Sequence, residues 1–221
     1  KALCANMRLF VSGSAPLLDA TFAEFQQRTG HTILERYGMT EALMATSNPY
    51  DGPRIAGSVG PALPGISIRI VAEGGKPAAV GEPGVLEMKG PNLFAGYWRN
   101  PEKTAEDHTA DGYFISGDIA TQDEAGYIRI VGRAKDLIIS GGYNVYPKEV
   151  ELVIDAIDGV EECAVIGVPH PDFGEGVIAV VARAAGSNVS ADDISARVNV
   201  ELAAFKRPKV SIIVEIGRAH V

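Results

Sequence analysis

The chain has 221 residues, of which 46% are hydrophobic and 22% are charged, proportions typical of a soluble globular protein rather than a disordered or fibrous one. Its 20 basic and 28 acidic residues give a net charge of −8, which disfavours nucleic acid as a partner because phosphate backbones are also negative. No apolar stretch approaches the roughly 20 residues that a membrane-spanning helix needs, so no membrane partner is expected.

The two cysteines, Cys4 and Cys163, are far apart in sequence and have no metal-ligand spacing. Two free thiols in a reducing compartment are the simplest interpretation, and we expect a cytoplasmic location. The four histidines do not cluster in sequence either, so no zinc site is predicted.

The first predicted strand runs from Met7 to Val11, and the small-residue turn Ser12-Gly13-Ser14-Ala15 follows it. A helix is predicted to begin at Pro16, because proline is favoured at the first helical position. The apolar face of this helix comprises Leu18, Phe22 and Phe25. The turn either simply joins strand to helix or, because its residues lack bulk, leaves room for a flat ligand against the backbone.

The string Glu35-Arg36-Tyr37-Gly38-Met39-Thr40-Glu41 follows the apolar run Thr32-Ile33-Leu34. We expect it to leave the C-terminal end of a buried strand, where open α/β sheets bind ligands. Tyr37 offers a flat ring for a purine, Gly38 allows a close backbone approach, and Thr40 offers a hydroxyl to phosphate.

Two charged residues of this string each have two interpretations. Glu41 is a hard oxygen ligand suited to Mg²⁺, or it caps a helix that begins near Ala42. Arg36 can bind a carboxylate through two parallel hydrogen bonds. Alternatively, Arg36 points outward and pairs with Glu35 or another acid, a contact worth about 0 to 1 kcal/mol.

From Ile55 to Ile130, short apolar runs alternate with glycine and proline, which predicts a β-rich module. Strands are predicted at 66–71, 85–89 and 127–131, turns at 73–77 and 81–84, and a short helix at 101–109 capped by Asn100. Asp118 ends the aromatic-rich run Gly112-Tyr113-Phe114-Ile115-Ser116-Gly117-Asp118. A carboxylate there can accept hydrogen bonds from both hydroxyls of a ribose, although a Gly-Asp pair alone is usually a turn.

After Gly132 the pattern predicts an α+β unit. Helices are expected at 147–157 and 191–205, the second capped near Ser190 or Asp192, and strands at 164–168, 177–181 and 210–214. The domain boundary is placed at Lys135, which gives domains of residues 1–134 and 135–215. Residues 216–221 are interpreted as a non-native tail and are left out of the fold.

Four motifs, in this order, carry a resemblance to one family: Ser12 to Leu17, Glu35 to Glu41, Gly112 to Asp118, and Gly132 to Glu151. From about Met7 to about Pro208 the chain resembles the acyl-CoA synthetases of the adenylate-forming, AMP-binding family, and most closely the members that use malonate. The resemblance implies an α/β plus α+β fold. Its parts would be the C-terminal portion of the large domain, with a strand-helix unit and a barrel-like β module, and a small lid domain.

The resemblance also implies two half-reactions. A carboxylate attacks the α-phosphorus of ATP to give an acyl-adenylate and pyrophosphate, and the thiol of coenzyme A then displaces AMP. Thr40 and Glu41 are the implied catalytic residues, with Glu41 holding Mg²⁺. The implied nucleotide-binding residues are Gly13, Ser14, Ala15, Pro16, Glu35, Tyr37, Gly38, Met39, Thr40, Asp118 and Arg133.

The remaining implied roles concern the acid, coenzyme A and domain movement. Lys135 matches the hinge about which the small domain swings. Gly141 and Gly142 would lie by the pantetheine tunnel, and they also suit a hairpin turn, which does not exclude that role. The implied pocket for the acid comprises Ser12, Ser14 and Arg36. Malonate-using members carry arginine before the tyrosine, where many relatives carry a small or uncharged residue. Malonate is therefore the expected acid, and methylmalonate or another short acid is the alternative.

The resemblance further identifies two parts of the family that the 221 residues do not contain. These are the glycine-rich phosphate loop and a late Gly-Lys segment whose lysine bridges carboxylate and phosphate. We therefore expect an interior fragment that cannot form acyl-adenylate unaided. The alternative of another class is a non-catalytic module that binds adenine nucleotide.

Overall fold

The computed structural model describes residues 2–214, which form two compact units that divide between Val131 and Gly132. The boundary expected at Lys135 lies slightly farther along the chain. The tail predicted at 216–221 lies outside the described residues. Over residues 2–214, no helix combines the length and apolar character required to span a bilayer.

The first unit begins with a three-stranded sheet in the order β1-β2-β3 and one helix. The elements are β1 (Val11–Ser12), α1 (Asp19–Thr29), β2 (Leu34–Met39) and β3 (Leu43–Ser47). The strand predicted from Met7 is wrong except at its last residue, because β1 exists only where Val11 and Ser12 pair in parallel with β2. The predicted helix start is also wrong. Leu18 keeps an extended backbone, so α1 begins at Asp19 rather than at Pro16.

The string from Glu35 to Glu41 was predicted to follow a strand, but most of it is itself a strand. Residues up to Met39 belong to β2, and Thr40 and Glu41 form the turn into β3. The interpretation of Glu41 as a helix cap is therefore wrong. Gly38 permits this hairpin, since a Cβ atom there would lie 1.9 Å from the carbonyl oxygen of Leu43.

The rest of the first unit is a four-stranded antiparallel sheet in the order β4-β5-β6-β7. Its elements are β4 (Ser67–Val71), β5 (Gly84–Lys89), α2 (Pro101–Glu106), β6 (Phe114–Gln122) and β7 (Ile128–Arg133). The predicted strands and the Asn100 cap are confirmed, with the Asn100 side chain accepting from the Lys103 amide at 3.1 Å. The predicted helix is also present, but it ends at Glu106 and not at residue 109. The sheet is open rather than barrel-like, because β4 and β7 are its two edges.

The hairpin packs on the four-stranded sheet through one apolar core. The core includes Ala42 and Ala45 from the hairpin and Leu86, Met88 and Phe114 from the sheet, all at most 1% exposed. The position of the turn at Glu41 is therefore constrained by burial of the residues that follow it, Ala42 and Ala45.

The second unit is an α+β unit, as predicted. Its elements are β8 (Ile138–Ser140), β9 (Tyr143–Val145), α3 (Pro147–Asp155), β10 (Val160–His170), β11 (Gly174–Arg183), α4 (Ala191–Glu201) and β12 (Val210–Val214). β11 is the central strand of a five-stranded sheet. Ser190 caps α4 in a capping box with Asp193, but α4 ends at Glu201, before the predicted Phe205.

We expect Gly38→Ala to destabilise the first unit. The new methyl group meets a backbone carbonyl that cannot rotate away, so the hairpin must open, at a cost of about 1–3 kcal/mol in the free energy of unfolding. Urea unfolding followed by circular dichroism measures the change. Gly132→Ala is the control, since nothing lies within 4 Å of a Cβ atom there. Equal midpoints for both variants would show that the hairpin is not constrained at Gly38.

Candidate functional site

A hydrogen bond joins two of the predicted nucleotide-binding residues. The Tyr37 hydroxyl donates to Oδ2 of Asp118 at 2.5 Å, across 81 residues of sequence. Asp118 is 4% exposed, so this carboxylate is held at the edge of the core rather than in a mobile loop. The structure thus brings the second and third sequence motifs to one place.

A β-bulge in β6 sets the direction of the Asp118 side chain. Leu86 of β5 faces three residues of β6, Ser116 to Asp118, between the Val85–Ile119 and Glu87–Ile115 pairs. Gly117 takes the left-handed conformation in the bulge, with a φ of 73°. Ser116 closes it, because its Oγ donates to the Leu86 carbonyl at 2.7 Å and accepts from the Asp118 amide at 3.1 Å. Gly117-Asp118 is therefore part of a bulged strand and not a simple turn.

The small-residue turn lies beside Arg36. Ser12 pairs with Glu35 in the parallel register of β1 and β2, and a Cβ atom on Gly13 would lie 3.4 Å from the Arg36 carbonyl and 3.7 Å from its Cγ. Ser14 has a φ of 70°, which turns the chain away from the strand. The turn residues Gly13, Ser14, Ala15 and Pro16 are exposed, and Ser12 is half-buried.

Arg36 and Glu35 point to opposite faces of β2, as successive residues of a strand must. Arg36 is exposed, and in the described part of the chain no acid lies within 4 Å of its guanidinium. The alternative interpretation of Arg36 as one half of an ion pair with Glu35 is therefore wrong. Its charge remains available to an anionic ligand.

Glu35 stabilises the loop after β3. Its side chain is 5% exposed, and its Oε1 accepts from the Gly57 amide at 3.0 Å. The pKa of Glu35 is raised to about 6, chiefly by burial and in smaller part by the charge of Asp19, while the Gly57 amide and the charge of Arg129 oppose the shift. Asn48, which the sequence did not single out, binds the Glu35 carbonyl through its Nδ2 at 3.0 Å. This geometry does not support the prediction that Glu35 contacts a nucleotide.

Glu41 and Thr40 occupy the turn between β2 and β3, where Thr40 is exposed and Glu41 half-buried. Oε1 of Glu41 accepts from the Tyr97 hydroxyl at 3.2 Å, a contact that no sequence pattern indicated. Among the described residues, no three His, Cys, Asp or Glu side chains form a cluster suited to a metal. A magnesium ion needs only one or two carboxylates when phosphate oxygens and water complete its shell. Glu41 fits a site of that kind.

The remaining predicted residues lie after Val131, where the two units divide. Arg133 ends β7, and Lys135 lies in a one-turn 3₁₀ helix, Ala134–Asp136; both residues are exposed. Gly141 and Gly142 form the turn between β8 and β9 with φ values of 60° and 81°, which confirms the hairpin interpretation. The roles of Arg133 in nucleotide binding and of Lys135 as a hinge stay predictions.

One groove of the first unit encloses about 500 Å³ and contains none of the predicted site residues. It is lined by Arg8, Phe22, Gln26, Gly30, His31, Thr32, Gly52, Pro53 and Arg54. Arg54 there donates to the Pro49, Thr32 and Tyr50 carbonyls, which is a structural role.

Comparison with known proteins gives concordant matches. Residues 1–98 match the family described as AMP-binding enzyme, and residues 149–216 match the AMP-binding enzyme C-terminal domain. A feruloyl-CoA synthase from Amycolatopsis sp is 41% identical over 208 residues, which cover 93% of this chain and 42% of that protein. A mitochondrial malonate–CoA ligase from Mus musculus is 39% identical over 236 aligned positions, and the match covers 97% of this chain and 40% of that protein.

Among solved structures, ATP-bound MatB from Rhodopseudomonas palustris matches with a TM-score of 0.91 and 57% identity, over 95% of this chain and 42% of that one. The chain thus spans about two fifths of the length of these proteins. Relatives of similar identity act on different acids by name, so identity alone does not decide the substrate.

We expect the stability contributed by Glu35 to fall as pH rises. Because the pKa of Glu35 is raised from 4.5 to about 6 in the folded protein, the folded state binds the proton more tightly than the unfolded state. That stability is fully present below pH 4.5 and is lost as pH rises through about 6. Glu35→Gln keeps an acceptor for Gly57 and cannot titrate, so it should gain stability relative to the unaltered protein across this window. Urea unfolding at several pH values measures the difference, and a constant difference would contradict the assignment.

Proposed function

We propose that this chain, which belongs to the family of AMP-binding enzymes, is the part of an AMP-forming acyl-CoA ligase that binds adenine nucleotide and malonate. The observation that carries the proposal is the convergence of three motifs. The turn beginning at Ser12, the Arg36–Tyr37 pair and Asp118 lie together around β2, although they are separated widely in sequence.

The adenosine part of ATP is assigned to Tyr37 and Asp118, with the exposed turn at Gly13 to Pro16 beside them. An ionised carboxylate can accept about four hydrogen bonds, so Asp118 can keep the Tyr37 hydroxyl and still accept from ribose hydroxyls. The bulge supports this role because it fixes the carboxylate before any ligand binds. Arg133 and Met39 remain proposed nucleotide contacts.

Adenylation joins an anionic acid to a polyanion, so the enzyme must position both reactants and neutralise charge. Thr40, which is exposed in the turn, is proposed to donate its hydroxyl to a phosphate, and Glu41 is proposed to hold the magnesium ion. When bound, magnesium supplies charge neutralisation to the triphosphate and its pyrophosphate leaving group.

Thioester formation is assigned to the second unit. Its turn at Gly141 and Gly142 has no side chains to obstruct a thin ligand, which suits the pantetheine arm of coenzyme A. Lys135 is the proposed hinge between the two catalytic states. A cytoplasmic location also stays part of the proposal.

Malonate is the proposed acid because Arg36 is an exposed cation beside the small-residue turn. The second carboxylate of a diacid must be paired when it leaves water, and a guanidinium pairs with it through two hydrogen bonds. Ser12 and Ser14 could add hydroxyl donors. Methylmalonate carries the same two carboxylates, so a substrate panel must separate the two acids.

The reaction class is tested in the full-length protein by malonate-dependent exchange of pyrophosphate into ATP and by release of AMP on adding coenzyme A. The panel comprises malonate, methylmalonate, acetate, ferulate and a long-chain fatty acid. Exchange with none of these acids would overturn the proposed activity. Preference for ferulate or a long-chain acid would overturn only the assignment of malonate.

We expect Arg36→Ala to lower kcat/KM for malonate by about 30-fold or more, because a carboxylate would be left without its partner. Acetate has no second carboxylate, so its kcat/KM should change less than about threefold. Steady-state kinetics in the full-length protein measures both values. Arg28→Ala is the matched control, since it removes the same charge from a surface pair with Glu24. Equal losses on malonate and acetate would remove Arg36 from substrate selection.

We expect Asp118→Asn to weaken ATP binding by about tenfold or more, because a neutral amide is a poorer acceptor for two hydroxyls than a carboxylate. The KM for ATP should rise while the KM for malonate stays near its original value. Asp123→Asn is the control, since Asp123 Oδ1 only accepts the Ala125 and Tyr127 amides in the turn after β6. An unchanged KM for ATP would place the ribose elsewhere.

A further inference from the structure

The segment between β5 and α2 fixes the turn that carries Glu41. The Phe94 amide donates to the Glu41 carbonyl at 2.8 Å, and Asn92 Nδ2 donates to the Ala42 carbonyl at 2.5 Å. The Tyr97 hydroxyl then reaches the Glu41 side chain, with Oε1 at 3.2 Å. One segment therefore controls both the backbone and the carboxylate of Glu41.

Tyr97 has two carboxylate acceptors for a single proton. Its hydroxyl oxygen lies 3.2 Å from Oε1 of Glu41 and 3.1 Å from Oδ2 of Asp107. Lys103 holds Asp107 by donating to its Oδ1 at 2.8 Å. The hydroxyl can donate to only one carboxylate at a time, and either choice leaves it satisfied.

The aromatic ring of Tyr97 is anchored by packing that does not depend on its hydroxyl. It meets the Phe94 ring edge-on at 4.8 Å, and Phe94 packs in turn on Phe114 at 5.5 Å. A tyrosine hydroxyl is protonated at neutral pH, so it can donate to either carboxylate.

We infer that Tyr97 is a positioning residue for Glu41, which it holds through one oxygen so that the other can bind the metal ion of the nucleotide. This inference rests on the proposed function. A carboxylate can bind a cation through one oxygen while its other oxygen accepts a hydrogen bond, so the Tyr97 hydroxyl would still donate to Glu41 in the metal-bound state. Asp107, itself held by Lys103, is the second acceptor beside the same hydroxyl.

The test is Tyr97→Phe in the full-length protein, which removes the hydroxyl and keeps the packed ring. The magnesium concentration needed for half-maximal pyrophosphate exchange should rise about tenfold, the effect of one hydrogen bond to a charged group, while the KM for malonate stays unchanged. The affinity for Mn²⁺ in the presence of ATP, measured by electron paramagnetic resonance, should fall by a similar factor.

Tyr127→Phe is the matched control, because the Tyr127 hydroxyl donates at 3.0 Å to the Pro53 carbonyl, a backbone acceptor unrelated to the Glu41 turn. A double-mutant cycle with Glu41→Gln distinguishes positioning of Glu41 from a merely structural role of Tyr97. If Tyr97 acts through Glu41, adding Tyr97→Phe to the Glu41→Gln protein should not lower the Mn²⁺ affinity further. Additive effects, or a Tyr97→Phe protein that behaves like Tyr127→Phe, would overturn the inference. If the unaltered protein shows no pyrophosphate exchange, the proposed function is overturned instead. The Mn²⁺ affinities of the unaltered and Tyr97→Phe proteins would then still decide the role of Tyr97.

Discussion

The hydrogen bond from the Tyr37 hydroxyl to the Asp118 carboxylate links the two sheets of the first unit at the candidate site. It depends on the bulge in β6, where Gly117 and Ser116 turn the Asp118 side chain toward β2. Without the bulge, the side chains of β6 would pair with β5 in a different register, and the Asp118 side chain would not point toward Tyr37. A pre-formed carboxylate is useful for nucleotide binding because ligand binding then need not order it.

The alternation of side chains along β2 separates two charges that are adjacent in sequence. Glu35 is buried and binds the Gly57 amide, whereas Arg36 is exposed beside Gly13. Had both side chains been on one face, they would have neutralised each other, and Arg36 would have had less capacity to bind an acid. The strand geometry thus keeps a positive charge available where the proposed diacid binds.

The turn at Glu41 combines a constrained backbone with a carboxylate held through a hydroxyl. Gly38 allows the two strands of the hairpin to approach, and the segment from Asn92 to Tyr97 fixes the turn from the other side. Both features restrict Glu41, which matters for the proposed function because a single protein carboxylate would have to place a metal ion that is otherwise held by phosphates and water. The names of the feruloyl-CoA synthase and the malonate–CoA ligase agree on acyl–CoA chemistry but not on the acid. The substrate is therefore argued from Arg36 alone.

The sequence by itself determined those helices and strands that are marked by neighbouring residues, and it identified the motifs of the candidate site. The capping residues Asn100 and Ser190, the helical period of α3 and the apolar run of β12 are read from neighbouring residues, and the structure confirms them. Only the tertiary structure decided that β1 is two residues long, that Glu41 sits in a hairpin turn, and that Tyr37 meets Asp118 and Glu41 meets Tyr97. Strand pairing and these contacts join residues tens of positions apart, so no local pattern encodes them, and they form only when the apolar core brings the strands together.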